Sequence, residues 1–136
     1  MKVILCSHGS LASGALDSIS ILAGDTPNIK AYDFFKDNLS LDDKIEEIFR
    51  DIQADEKVIF LTDLFGGSVN QALIRKKAQY PNIDIIAGFN LALLLELSIC
   101  NDETDEKYLD YLVERSKSEM ILFKASKEVF KDDFDF

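Results

Sequence analysis

The chain has 136 residues, 47% of them hydrophobic and 29% charged, with a formal net charge of -10. That length and composition suit one globular domain with a real core and exclude a disordered chain. The acidic balance argues against nucleic-acid binding, which needs a basic face, and fits either a basic protein partner or a plainly solvated acidic surface.

Val3, Ile4, Leu5 and Cys6 form a short apolar run that reads as a buried strand. It passes through Ser7 into His8, the only histidine of the chain, and Gly9 and Ser10 follow. Leu11, Ala15, Leu16, Ile19 and Leu22 then recur at helical spacing, with Gly24 as the stop. Residues 29–34 alternate apolar and polar, as a half-buried edge strand does. Ser40 can cap the next helix, whose first turn holds Asp42 and Asp43 and whose inner stripe is Leu41, Ile45, Ile48, Phe49 and Ile52. Residues 58–61 form a second fully apolar strand. Ser68 opens another helix, with Gln71 three residues on as the partner in a capping box. Arg75, Lys76 and Lys77 suit that helix's negative end, and Tyr80-Pro81 stops it. Residues 83–87 read as a fourth strand and 91–97 as a helix apolar nearly all round. Residues 104–117 read as a more exposed helix, and 120–123 as a final short strand.

Strands alternating with helices predict an α/β fold: one three-layer domain with a mainly parallel sheet and right-handed crossovers. The continuously apolar strands at Val3 and Val58 belong in the middle and the alternating strand at Ile29 at an edge, giving the order 2-1-3-4. The chain reverses direction between strands 1 and 3, so a crevice opens there at the carboxyl ends of the strands. The two cysteines, Cys6 and Cys100, make no CxxC pattern and read as buried, reduced thiols of a cytoplasmic protein. The N-terminal apolar stretch is too short for a signal peptide, and the segment 91–100 is too short to span a bilayer.

His8 ends strand 1, and Asp63 ends strand 3 in Ile59-Phe60-Leu61-Thr62-Asp63. Neighbouring strands lie about 5 Å apart, so the two side chains should meet across the crevice. A carboxylate on one imidazole nitrogen fixes the tautomer and leaves the other nitrogen unprotonated and nucleophilic. Leu64, Phe65, Gly66, Gly67 and Ser68 follow. Paired glycines can turn backbone N–H groups toward a ligand, and the helix beginning at Ser68 adds a positive dipole end, which together make a cradle for phosphate. The helix start after His8, Gly9 and Ser10 points at the same crevice. No Walker loop is present. A lone histidine excludes a multi-histidine zinc site and any mechanism that needs a second histidine as acid. Each feature alone has an ordinary structural explanation: a polar loop residue, a turn, a cap. Their convergence on one crevice is what points to chemistry.

With these residues in hand, the chain resembles a IIA component of the mannose family of the bacterial sugar phosphotransferase system. The resemblance rests on Val3-Ile4-Leu5-Cys6-Ser7-His8-Gly9, on Leu61-Thr62-Asp63-Leu64-Phe65-Gly66-Gly67-Ser68, and on Ile86-Ala87-Gly88-Phe89-Asn90. It covers residues 1–125; the acidic aromatic tail 126–136, with Phe130, Phe134 and Phe136, has no counterpart. Phe65 stands where members often carry tryptophan. The resemblance implies that His8 is phosphorylated on Nε2 and oriented through Nδ1 by Asp63. Gly9, Ser10, Gly66, Gly67 and Ser68 are the expected phosphate-binding positions. It implies phosphate arriving from a histidine-containing phosphocarrier protein and leaving to a IIB component for sugar uptake, with no metal or organic cofactor. The membrane would be reached only indirectly, through permease components. It also implies a homodimer, in which the last strand could be exchanged between subunits; the many leucines of 91–97 and the late strand at 120–123 fit that expectation.

Other readings stay open on sequence. A phosphocarrier of the dihydroxyacetone kinase system shares the histidine logic, and the Asp-Leu-Phe-Gly-Gly-Ser segment argues against it. A hydrolase using Ser68, His8 and Asp63 lacks the strained G-x-S-x-G elbow. A histidine phosphatase needs a second histidine. A regulatory module, whose phosphorylated state is only a signal, would look the same at His8 and Asp63.

Overall fold

The computed structural model describes residues 1–125. Its elements run β1 (Lys2–His8), α1 (Leu11–Ala23), β2 (Ile29–Phe34), α2 (Leu41–Arg50), β3 (Val58–Thr62), α3 (Ser68–Lys77), β4 (Ile83–Ala87), α4 (Leu91–Leu97) and α5 (Glu106–Lys117). The four strands form one sheet in the order β2-β1-β3-β4, and every pairing is parallel. The expected 2-1-3-4 sheet is therefore present, with β2 and β4 as its edges.

Alternation along the strands sorts the core into two layers. Ile4, Cys6 and Phe60 face α2 and α3, where Ile45, Ile48, Phe49, Val69 and Leu73 cover them. Val3, Leu5, Ile59 and Leu61 face the other side, beneath Ile19 of α1, Leu93, Leu94 and Leu97 of α4, and Leu109 and Leu112 of α5. β1 and β3 are buried on both faces, which is why their sequences are apolar without interruption. Phe49 stacks on Phe60 with ring centroids 5.4 Å apart; cutting Phe60 to alanine would cost about 3–5 kcal/mol.

Local signals set most boundaries. Ser40 caps α2, its side chain accepting from the Asp43 amide. Gly24 ends α1 at φ 77°. Four expectations are corrected. The Ser68–Gln71 capping box does not form: Gly67 is the N-cap of α3 in extended conformation, and the Gln71 amide reaches the Gly66 carbonyl instead, at 2.6 Å. α5 begins at Glu106, not at Thr104, because Asp105 takes the cap by accepting from the Tyr108 amide. Cys100 is only half-buried, whereas Cys6 is fully enclosed. Residues 120–123 are not a strand in the single chain but irregular backbone with exposed side chains. A strand needs a ladder partner, and the sheet of one chain ends at β4. The tail at 126–136 lies outside the described residues.

Candidate functional site

The site is built where β1 and β3 run out side by side. Cys6 pairs with Thr62 in their register, so the next residues of each strand, Ser7 and His8 on one and Asp63 on the other, emerge together at the carboxyl edge. Asp63 Oδ2 accepts twice from His8, from the backbone N–H at 2.9 Å and from the ring at Nδ1 at 2.8 Å. Its other oxygen accepts from the Leu64 amide at 3.0 Å. The carboxylate side chain is 9% exposed and the imidazole 43%. Burial pushes the Asp63 carboxyl up, but the His8 backbone N–H, the ring hydrogen bond and the ring's charge outweigh it, so Asp63 is held below the usual carboxylate range.

A carboxylate only accepts, so in the neutral ring Nδ1 carries the proton and Nε2 the lone pair. Ser68 Oγ lies 3.3 Å from Nε2 and donates to it in that tautomer. Ser68 is the first residue of α3, so Nε2 faces the helix's N-terminal end, where the first amides have no intrahelical partner.

The loop that carries Ser68 is tied down by its own polar groups. Gly66 adopts φ 76°, a conformation suited to glycine. Its amide donates to Asn70 Oδ1 at 3.0 Å, and the Gly67 amide donates to the Leu64 carbonyl at 3.2 Å. Both glycine amides therefore turn inward, where the sequence suggested they face a ligand. Donors that remain at the crevice include the first amides of α3 and the Ser68 hydroxyl. At Gly67 a Cβ would come 3.3 Å from both Leu64 Cβ and the Leu64 carbonyl oxygen, so glycine lets the loop turn tightly on itself, and the His8 imidazole Cε1 lies in ordinary contact range of that position at 3.7 Å. On the other side, the Gly9 amide donates to the Phe34 carbonyl at 2.9 Å, extending the β1–β2 ladder. The Ser10 hydroxyl accepts from the Lys36 ammonium.

Sequence reasoning missed four residues here. Ser7 is buried at the end of β1; its hydroxyl accepts from the Ala12 amide at 2.7 Å and donates to the Gly9 carbonyl at 3.2 Å. It thus does the capping for α1 that Ser10, in the N-cap position, does not. Asn70 is buried, donates to Thr62 Oγ1 at 3.0 Å and accepts from Gly66, stapling the end of β3 to the loop. A polar residue on the inner face of α3 was the available signal. Phe35 and Lys36 belong to a stretch with no periodicity, and nothing in the sequence marks them. Phe35 has φ 66°, a left-handed conformation that costs a bulky residue about 1–2 kcal/mol, and its ring lies against His8 at 5.1 Å between centroids. Among the described residues no three His, Cys, Asp or Glu side chains gather as a metal site would require.

Fold and site together define a switch-point α/β protein that presents one oriented, solvent-facing imidazole at a helix N-terminus. The family model described as "PTS system fructose IIA component" matches residues 2–114. The chain is 32% identical over 99 residues to the fructose-specific EIIA component of Bacillus subtilis (strain 168), covering 71% of this chain and 68% of that one. It is 29% identical to the sorbose-specific EIIA component of Lacticaseibacillus casei, over 98% of this chain and all of the other. The solved mannose/sorbose specific IIA subunit from Enterococcus faecalis superposes with a TM-score of 0.80 at 25% identity, covering 94% of this chain and 98% of that chain. The chain belongs to this family, the mannose-type IIA components of the phosphotransferase system.

Proposed function

We propose that the protein is a phosphoryl carrier of a sugar phosphotransferase system. It accepts phosphate on His8 Nε2 from a histidine-containing phosphocarrier protein and passes it to a IIB component. The observation that carries this reading is the imidazole itself: Nδ1 is committed to Asp63 at 2.8 Å, while the ring is exposed and its Nε2 faces Ser68.

The chemistry needs little else. The Nε2 lone pair attacks phosphorus in line, the Nε2–P bond forms, and the donor's N–P bond breaks with its electron pair returning to the donor. Positive charge that develops on the His8 ring is balanced by Asp63 through Nδ1–H. Ser68 Oγ–H, which meets Nε2 in the free ring, turns to a phosphoryl oxygen once the lone pair is used. The first amides of α3 and the helix dipole face the remaining oxygens. In this reading Ser10 and Ser68 bind phosphate by side chain, and Gly9, Gly66 and Gly67 shape the loops around it. Transfer to the IIB partner is the same step reversed, with Asp63 holding the tautomer throughout. No metal or organic cofactor takes part. A net charge of -10 favours basic docking partners, and the same reading takes the protein to be a cytoplasmic homodimer.

Ser68, His8 and Asp63 also line up as a hydrolase triad would. The two readings part at Ser68. A hydrolase loses everything in Ser68→Ala; a carrier keeps its phosphorylation site and slows without losing transfer. The primary test is incubation with the phosphocarrier, its kinase and phosphoenolpyruvate, followed by mapping of acid-labile phosphate. Phosphate is expected on His8 and absent in His8→Ala; acid-labile phosphate persisting in that variant overturns the reading.

A further inference from the structure

Phe35 is the only non-glycine among the described residues with positive φ. Its Cβ makes that conformation unfavourable, and strain of this kind persists only where the surroundings over-determine it. Its two neighbours are anchored. Phe34 is buried, pairs with His8 in the sheet register, and accepts the Gly9 amide on its carbonyl. Lys36 donates to Ser10. Between these anchors Phe35, 53% exposed as a residue, turns left-handed, and its ring comes to lie beside the imidazole. The ring centroids are 5.1 Å apart and the planes tilt by 34°.

The imidazole needs such a contact. The hydrogen bond to Asp63 fixes Nδ1, but one hydrogen bond leaves the ring free to rock about it. Gly67 faces Cε1 with no side chain, a Cβ there standing 3.7 Å away, and Ser68 meets Nε2 at the long distance of 3.3 Å. Phe35, the residue that follows β2, adds an aromatic surface on the side where Phe34 already pairs with His8 in the sheet. We propose that Phe35 is a positioning residue for phosphoryl transfer: its strained backbone braces its ring against His8, so that Nε2 stays aimed at the N-terminus of α3. The proposal rests on His8 as the phosphoryl acceptor. It acts through orientation, so it bears on the rate at saturating donor rather than on donor affinity.

The test compares Phe35→Gly, Phe35→Asn and Phe35→Tyr. Glycine and asparagine accept the left-handed backbone and keep the fold while removing the ring; tyrosine keeps the ring. Two quantities are read. The first is the maximal rate of phosphoryl transfer to His8, separated from the KM for the phosphocarrier. The second is the nuclear Overhauser effect between the His8 Cε1 proton and the Gly67 α-protons in the unphosphorylated protein. The expected result for the glycine and asparagine variants is a maximal rate lower by about tenfold with KM unchanged, together with a weakened Overhauser effect. Tyrosine restores both. An unaltered maximal rate, or a loss confined to KM, overturns the proposal, as does an Overhauser effect of full strength in Phe35→Gly. If the wild-type protein takes no phosphate from the phosphocarrier, the carrier reading falls, and the Overhauser measurement still decides whether Phe35 orients the ring.

Discussion

At the switch point Phe65 is 86% exposed beside Leu64; beyond α5, Met120 is 87% exposed beside Ile121 and Leu122. The side chains are alike in chemistry and exposure, and the backbones beneath them are not. Under Leu64 and Phe65 every turn of the loop is tied. Asp63 accepts from Leu64, Asn70 accepts from Gly66, the Leu64 carbonyl accepts from Gly67, and Gln71 donates to Gly66. Residues 120–123 have no regular structure, and among the described residues the sheet has four strands, with β2 and β4 as its edges. The first region is complete within one chain, and its apolar rim is exposed on a backbone the loop's own hydrogen bonds hold in place. The second has strand-like sequence without a strand in the single chain.

The largest effect that separates these regions belongs to Asp63. Asp63→Asn should leave the sheet intact and lower phosphoryl transfer by about a hundredfold, because an amide can hold the wrong tautomer and cannot balance charge on the ring. The check is transfer rate in both directions beside a thermal melt. Normal rates in a folded variant would reduce Asp63 to the cap of a strand end. The same measurements on changes at 120–123 should leave the chemistry at His8 untouched.

Next in size is the association state. If a second copy completes 120–123, the protein is a dimer at low micromolar concentration by light scattering, and Leu122→Asp shifts it toward the monomer mass. A monomer in the wild-type protein with a cooperative melt refutes the dimer and leaves the leucines of α4 as ordinary core of one chain, where Leu93, Leu94 and Leu97 are already buried. This experiment sharpens the contrast directly, since the switch-point rim should not depend on a second copy.

The same contrast explains what could be read from the sequence. The sheet order followed from which strands were apolar without a break, and His8 and Asp63 followed from strand ends in that order. Those are consequences of periodicity and topology, which one sequence carries. The direction of the Gly66 and Gly67 amides did not follow, because it depends on Asn70 and Leu64 as acceptors, a tertiary arrangement. The hold of the Ser7 hydroxyl on the Ala12 amide at the start of α1 did not follow for the same reason. The strand at 120–123 has strand-like composition, but a strand exists only with a partner, and composition does not supply one. Phe35 was invisible because left-handed backbone at a phenylalanine contradicts its local preference.

The smallest effect is on stability in acid, and its sign follows from Asp63. Burial raises that carboxyl, but the His8 backbone N–H, the ring hydrogen bond and the ring's charge lower it further, so its folded value lies below the usual range. The unfolded value is about 3.9. Between the two, the unfolded chain binds more protons than the folded one, so stability rises with pH in that window. The contribution is fully present above the unfolded value and is lost as pH falls through the folded one. Asp37, lowered chiefly by its hydrogen bond from Lys44, and Asp102, lowered chiefly by the N-terminal ammonium, act in the same direction from exposed positions. Denaturant melts taken from neutral pH down through the carboxylate range should therefore show wild type and Asp63→Asn converging as the pH drops, with the variant less stable above the window and similar below it. A gap of constant size at every pH would mean that Asp63 stabilises the strand ends by packing and hydrogen-bond geometry alone, and not by its charge against the ring of His8.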